Sequence, residues 1–211
     1  MSVHKKCLVL LSGGLDSATL AFWLKKQGYT IECLYFDYGQ GQTNGERECA
    51  VAIAKQLGAN LNVLETPRPR ESLRNVISSH SNDAELFGDV VNMCTMAATF
   101  AFILGMDSIF LGVNADDVRA HPALQIGFFR TIEKLATLWM GNKLRVLTPF
   151  LDKDKSSVMG IGAKLGVSFE NTWSCSVNVD KHCGRCSDCL ARKQAFREVG
   201  LPDRTEYEFE I

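Results

Sequence analysis

Apolar positions along the chain follow two alternating rhythms, short continuous runs and longer stretches with helical spacing. Residues 7–11 are an unbroken apolar run that stops at Ser12-Gly13-Gly14, the length and punctuation of a buried strand. Residues 15–27 then place Leu15, Ala18, Thr19, Phe22 and Trp23 at helical spacing, and Gly28 ends the pattern. A strand over 31–36 precedes a helix over 46–57, which sets Cys49, Ala50, Ile53, Ala54 and Leu57 on one face with Gly58 just beyond. A third strand covers 61–64. Residues 66–87 are polar and carry Pro67 and Pro69, the pattern of a loop excursion that is either a ligand-ordered lid or a mobile segment. Residues 93–104 are nearly all apolar and predict a helix buried on most sides. A strand over 108–113, a helix over 126–139, a short strand over 144–147 and a helix over 155–165 ending at Gly166 complete the series.

Strands alternating with helices of about a dozen residues predict an α/β fold: a doubly wound parallel sheet of five strands with helices on both faces. No internal repeat, low-complexity tract or mid-chain linker interrupts it. The expected organisation is a Rossmann-like unit over residues 1–170 followed by a small helical appendix over 171–211.

Composition narrows the class. The chain has 211 residues, 46% hydrophobic and 22% charged, a balance that buries a globular core. A formal net charge of −1 argues against broad, charge-driven nucleic-acid binding, while leaving room for a local basic patch. No apolar run approaches the roughly 20 residues that span a bilayer. The N-terminal residues lack the apolar core and cleavage site of a signal peptide. The expected location is the cytoplasm.

Ser12-Gly13-Gly14-Leu15-Asp16-Ser17 joins the first strand directly to the first helix. Glycines allow a tight turn and close approach of backbone N–H groups to a ligand. The helix start adds unpaired N–H groups and the positive end of its dipole, which suits phosphate. In an open parallel sheet such a turn lies at the carboxyl ends of the strands, where ligands bind. Asp16 is out of place beside phosphate unless it holds Mg²⁺ or caps a backbone amide. The hexapeptide has neither the Rossmann G-x-G-x-x-G spacing nor the Walker Gly-Lys-Ser/Thr ending.

The eight cysteines divide into two groups. Cys7, Cys33, Cys49 and Cys94 stand alone in apolar or helical patterns, as small core residues do. Cys175, Cys183, Cys186 and Cys189 crowd into fifteen residues, with C-x-x-C-x-x-C at the end. Four thiolates at this spacing fit a closed tetrahedral structural zinc site, with an iron–sulfur cluster as the alternative. His182, beside the cluster, is either a supporting group behind the ligands or exposed.

SGGLDS resembles the SGGxDS pyrophosphate loop of the N-type ATP pyrophosphatases, which cleave ATP between the α and β phosphates and leave AMP on a substrate oxygen. Four further motifs fall in order: Phe36-Asp37-Tyr38-Gly39-Gln40, Gly112-Val113-Asn114-Ala115, Thr148-Pro149, and Thr172-Trp173-Ser174-Cys175 with Cys183-Gly184-x-Cys186-x-x-Cys189. Together they resemble the 7-cyano-7-deazaguanine synthase family over essentially the whole chain.

The resemblance implies a ligase that adenylates 7-carboxy-7-deazaguanine with ATP and Mg²⁺ and aminates it with ammonia through an amide to the nitrile. It implies ATP contacts at Ser12, Gly13, Gly14, Leu15, Asp16, Ser17, Asp37, Tyr38 and Gly112, with Asp16 and Ser17 the catalytic pair. It also implies one structural Zn²⁺ at Cys175, Cys183, Cys186 and Cys189. On charge alone Lys153, Lys155 and Arg192 are candidate phosphate neighbours, although exposed surface side chains are the commoner reading.

The chain departs from the family where the acceptor is expected. Gly41-Gln42 replace the usual Arg-His, Phe87-Gly88-Asp89-Val90 stands for Pro-x-Arg-Asn, and His121-Pro122-Ala123-Leu124-Gln125 for a Tyr-Pro-Asp-Cys-Arg segment. A diverged relative that passes the acyl group to an amine on a protein or nucleic acid is therefore an alternative, and a tRNA-modifying enzyme with the same loop a further one. The Trp139-Met140 helix end and the Tyr207-x-Phe209-x-Ile211 alternation are candidate homodimer contacts, or cover for the chain's own core.

Overall fold

The structure is a computed structural model; it describes residues 5–39, 43–66, 82–141, 144–177 and 180–209, with only the backbone of 43–44 and 82–89. Five parallel strands, β1 (Lys6–Leu10), β2 (Thr30–Asp37), β3 (Asn60–Glu65), β4 (Ser108–Phe110) and β5 (Arg145–Leu147), lie in the order β3-β2-β1-β4-β5. β1 is central, with Val9 opposite both Cys33 of β2 and Phe110 of β4. Chain order runs outward from β1 in both directions, so the topological switch point lies between β1 and β4.

Strand alternation sends successive side chains to opposite faces, and both faces are covered. Cys7, Val9, Cys33 and Tyr35 meet α1 (Leu15–Lys26), α2 (Thr43–Leu57), α6 (Lys155–Leu165) and α7 (Ser187–Val199). Leu8, Leu34, Ile109 and Val146 meet α3 (Asn82–Ile103) and α5 (Ile126–Met140) on the other side. The described fold is thus the doubly wound sheet expected. Small residues let helices approach closely: a Cβ on Gly162 of α6 would stand 2.5 Å from Thr19 Oγ1 of α1. No helix among the described residues is long and apolar enough to cross a membrane.

Three sequence expectations change. Residues 67–81 of the polar stretch lie outside the described residues, and α3 begins at Asn82, so 82–87 are helical rather than loop. The apolar 93–104 stretch is not buried on most sides. Cys94, Ala97, Ala98 and Ala101 pack on the sheet, but Met96, Phe102, Ile103 and Leu104 face solvent, Ile103 at 72% exposure. A helix laid on one face of a sheet has an outer side whatever its composition. Finally, β4 stops at Phe110 and Asn114 opens a short helix, α4 (Ala115–Ala120). Asn114 Oδ1 accepts from the Asp116 and Asp117 amides, and Asp117 Oδ2 accepts from the Asn114 amide. This capping box converts the strand exit into a helix start.

Candidate active site

The Ser12–Ser17 turn is held by a closed ring of hydrogen bonds. The Gly14 amide donates to Ser12 Oγ (3.3 Å), the two serine hydroxyls lie 3.1 Å apart, and Ser17 Oγ donates to the Gly14 carbonyl at 3.1 Å. Gly13 sits at φ +81°, and a Cβ there would stand 2.2 Å from the Glu46 carbonyl oxygen of α2. Leu15 is buried, so only its backbone N–H remains for a ligand. Gly14 is the N-cap of α1, and no side chain caps that end. The first amides of the helix are left available at the carboxyl edge of the sheet.

Asp16 does not serve as a cap. Its Oδ2 accepts from Lys155 Nζ at 3.1 Å, while its Oδ1 is buried with no hydrogen-bond partner among the described residues. Lys155 opens α6, and its own amide donates to Asp116 Oδ2 at 2.8 Å. Burial pushes the nearby Asp117 carboxyl up, the Asn114 amide pulls it down, and the Asp16 charge raises it further; the net shift is upward. Burial would lower Lys155, but Asp16 and then Asp117 hold its ammonium above the ordinary lysine value. Two further polar atoms, Asn114 Nδ2 after β4 and Thr148 Oγ1 after β5, are buried without a partner among the described residues. Unpaired polar atoms on three neighbouring loops make the carboxyl edge a place for a polar ligand.

The remaining expected residues are placed unequally. Gly112 lies against α1, where a Cβ would stand 2.9 Å from the Asp16 carbonyl carbon and the Ser17 nitrogen. Asp37 and Tyr38 leave β2 at the same edge; Asp37 Oδ1 accepts from the Gly39 amide (3.2 Å), and its other oxygen is 3.8 Å from Arg47. Lys153 pairs with Asp152 at 3.1 Å, and its carbonyl accepts from the Ala115 amide at 2.7 Å. Arg192 is no phosphate neighbour: it is fully buried and donates to Phe169 O, Thr172 Oγ1, Ser174 Oγ and Thr205 Oγ1. The Asn114–Asp117 box and Lys155 as partner of Asp16 were not singled out from sequence. Asn-x-x-Asp before a helix was the available signal for the first.

Cys175, Cys183, Cys186 and Cys189 converge, their sulfurs all within 4.8 Å of one another. Tetrahedral coordination at about 2.3 Å places sulfurs roughly 4 Å apart, and Cys183 and Cys189 Sγ are 4.0 Å apart. Amides of Cys183, Cys186 and Cys189 point at the sulfurs of Cys175, Cys183 and Cys186 at 3.3–3.4 Å, as thiolates require. Burial pushes the Cys186 thiol up, yet hydrogen bonds centred on Ser176 and Cys189 bring it down to about 6. Burial holds Cys175 and Cys189 above the usual thiol value, a penalty that a cation at the centre removes. The donor set fits a metal ion. The lone cysteines behave as core: burial pushes Cys7, Cys33 and Cys94 up to about 12.

His182 is buried rather than exposed, and its Nε2 accepts from the Ser174 amide at 3.0 Å. Burial, then the Arg192 charge, lowers its pKa to about 4, which keeps that nitrogen an acceptor. The cysteine segment also reaches the glycine turn: the Trp173 amide donates to the Gly13 carbonyl at 2.9 Å.

A glycine turn at the switch point of a doubly wound parallel sheet, with a four-cysteine cluster adjoining it, marks the chain as an α/β protein with a candidate ligand site at the carboxyl edge. The chain belongs to the family described as "Queuosine biosynthesis protein QueC", whose sequence model matches residues 6–200. It is 36% identical over 221 aligned residues to a 7-cyano-7-deazaguanine synthase of Methanoculleus marisnigri, covering 97% of this chain and 99% of that one. It is 33% identical over 222 residues to a protein of the same name from Thermoplasma acidophilum, at 97% and 93% coverage. Among solved structures, NMN synthetase from Francisella tularensis is similar in fold, with a TM-score of 0.59 and 15% identity over 95% of this chain and 79% of that one. The chain is thus an enzyme of a queuosine-biosynthesis family.

Proposed function

We propose that this enzyme adenylates a carboxylate, 7-carboxy-7-deazaguanine, with ATP and aminates the product with ammonia toward the nitrile. Asp16 carries the reading: a partly shielded carboxylate whose Oδ1 is buried without a partner among the described residues, inside a turn of helix-start amides. A carboxylate is a poor electrophile at neutral pH because its leaving group would be oxide. Attack of a carboxylate oxygen on the α-phosphorus breaks the bond to the bridging oxygen, releases pyrophosphate, and installs AMP as a leaving group. In this reading the amides of Leu15, Asp16 and Ser17 and the Ser12 and Ser17 hydroxyls orient the phosphates, and Lys155 supplies a fixed cation. A bound Mg²⁺, with Asp16 Oδ1 as its natural ligand, would offset the charge developing on the departing pyrophosphate. Asp37, Tyr38 and Gly112 would wall the nucleotide on the same edge.

The cluster of Cys175, Cys183, Cys186 and Cys189 is assigned to one Zn²⁺, a closed site that stiffens residues 171–211 against the nucleotide unit of residues 1–170. A homodimer is part of the same proposal. On α5, Leu135, Leu138 and Trp139 are exposed, Leu138 at 85% and Trp139 at 87%, and on α3 so are Met96, Phe102, Ile103 and Leu104. These exposed apolar side chains are the candidate contact with a second copy. Of the C-terminal alternation, Tyr207 packs on the cysteine cluster, Phe209 stays 42% exposed with Arg185 over its ring, and Ile211 lies outside the described residues.

A different amine is the second reading. It is favoured by Leu124, which is buried among α3 and α5 residues and anchors the His121–Gln125 segment, the segment that departs from the Tyr-Pro-Asp-Cys-Arg pattern of the resemblance. The test is pyrophosphate release with ATP, Mg²⁺ and 7-carboxy-7-deazaguanine, with and without ammonia, read by product mass spectrometry. A nitrile supports the first reading. Carboxylate-dependent pyrophosphate release without nitrile supports the second, and no release under any condition overturns both.

A further inference from the structure

Trp173 sits between the cysteine cluster and the glycine turn and is fixed from both directions. On the cluster side, its indole Nε1 donates to the Cys175 carbonyl at 2.8 Å, and its ring lies 4.6 Å from the His182 ring. His182 in turn holds the Ser174 amide and precedes Cys183. A second route runs through α7, whose N-cap is Cys186. One turn beyond Cys189 on that helix, buried Arg192 donates to Thr172 Oγ1 at 2.8 Å and Ser174 Oγ at 3.1 Å, clamping the residues on either side of Trp173.

On the nucleotide side, the Trp173 amide holds the Gly13 carbonyl at 2.9 Å. Its ring lies flat against the first turn of α2, where a Cβ on Gly45 would stand 2.7–2.8 Å from three ring atoms. The next residue of α2, Glu46, presents the carbonyl that forbids any side chain at Gly13. Loop, helix start and cysteine segment therefore meet with no slack at Gly13, Gly45 and Trp173. A packed junction without slack transmits displacement rather than absorbing it.

We propose that Trp173 is a positioning residue that couples metal occupancy of the cysteine cluster to nucleotide affinity of the glycine turn. The proposal rests on the ATP reading given above. Metal bound at the cysteines fixes residues 172–175 and α7, Trp173 then holds the Gly13 carbonyl, and the loop amides face the phosphates. Coupling of two sites is reciprocal, so bound nucleotide must retain the metal by the same factor.

The test uses the full-length zinc-loaded protein. Mg²⁺·ATP binding is first measured by calorimetry, then zinc extraction by a chromogenic chelator is timed with and without saturating Mg²⁺·ATP. Nucleotide is expected to slow extraction at least threefold in the wild type, and Trp173→Ala to abolish the slowing and weaken ATP at least tenfold. Trp173→Phe, which keeps a ring against Gly45, is expected to restore most of both. Gly45→Ala, which presses on the ring without removing it, is expected to weaken ATP while the protein still loads one zinc. Extraction indifferent to nucleotide in a wild type that binds ATP overturns the coupling alone. A wild type that binds no ATP overturns the ATP reading and the coupling with it.

Discussion

Lys155 reaches Asp16 across 139 positions of sequence, Nζ to Oδ2 at 3.1 Å, so the lone carboxylate of the glycine turn is answered by the first residue of a distant helix. Both side chains are largely shielded, at 22% and 17% exposure. Burial lowers the Lys155 ammonium most, but the charge and hydrogen bond of Asp16 with the charges of Asp117 and Asp188 together raise it above the ordinary lysine value. The stability of the pair is therefore fully present below the ordinary lysine value and is lost only as pH rises through the higher folded value. Lys155→Met is expected to leave Asp16 without its charged partner at a cost of about 1.5–3 kcal/mol. Pyrophosphate release is expected to fall roughly 10²–10³-fold. Thermal unfolding and a steady-state pyrophosphate assay measure the two effects, and Lys155→Arg should recover more of the first than of the second.

Asp117 responds to pH in the opposite region. Burial and the Asp16 charge raise its folded pKa, so the folded protein keeps that proton to higher pH than the unfolded chain does. Its contribution to stability is present at acid pH and declines as pH rises through the raised value. Asp117→Asn keeps an oxygen for the Asn114 amide and removes the charge. In nucleotide-free protein it is expected to raise the melting temperature at pH 7 by about 2–4 °C, the effect of about 1 kcal/mol in a chain this size. The gain should vanish as pH falls into the carboxylate range; melting curves between pH 3.5 and 8 decide it.

Gly112 is constrained by contact rather than by conformation. A Cβ there would press on the Asp16 carbonyl carbon and the Ser17 nitrogen, which are backbone atoms of the first turn of α1. Gly112→Ala should destabilise by about 1–3 kcal/mol and weaken ATP more than stability alone explains, because the displaced atoms belong to the candidate phosphate site. Calorimetric affinity at a temperature well below unfolding separates the two.

Leu138 and Trp139 bury little within their own chain, so Leu138→Glu and Trp139→Ser should leave the melting temperature of the isolated chain within about 1–2 °C. Light scattering coupled to size exclusion should report a dimer for wild type and a monomer for the double variant. A wild type that stays monomeric at high micromolar concentration would remove the dimer from the proposal.

The parts of the site readable in sequence were the contiguous ones. SGGLDS and the cysteine run each stand out within a few residues, because a turn and a thiolate knuckle are built from near neighbours. The Lys155 partner of Asp16 was not readable, since only the fold brings α6 to the start of α1. Arg192 shows the reverse failure. A basic residue near a phosphate-handling segment invites an electrostatic role, yet its guanidinium is enclosed by four acceptors and acts as an internal strut. Element order survived because strand and helix periods differ, while the start of α3 was lost in polar residues that carry no apolar period.

The bond between Trp173 and Gly13 also imposes an order in time. Gly13 leaves the ribosome early, and its partner is synthesised only after the whole sheet; at about 5–20 residues per second the lag is roughly 8–30 s. During that interval the turn has its helix but lacks its brace. A nascent chain can thus complete its strands and first helices around a glycine turn that gains its Trp173 contact only when residue 173 has been made.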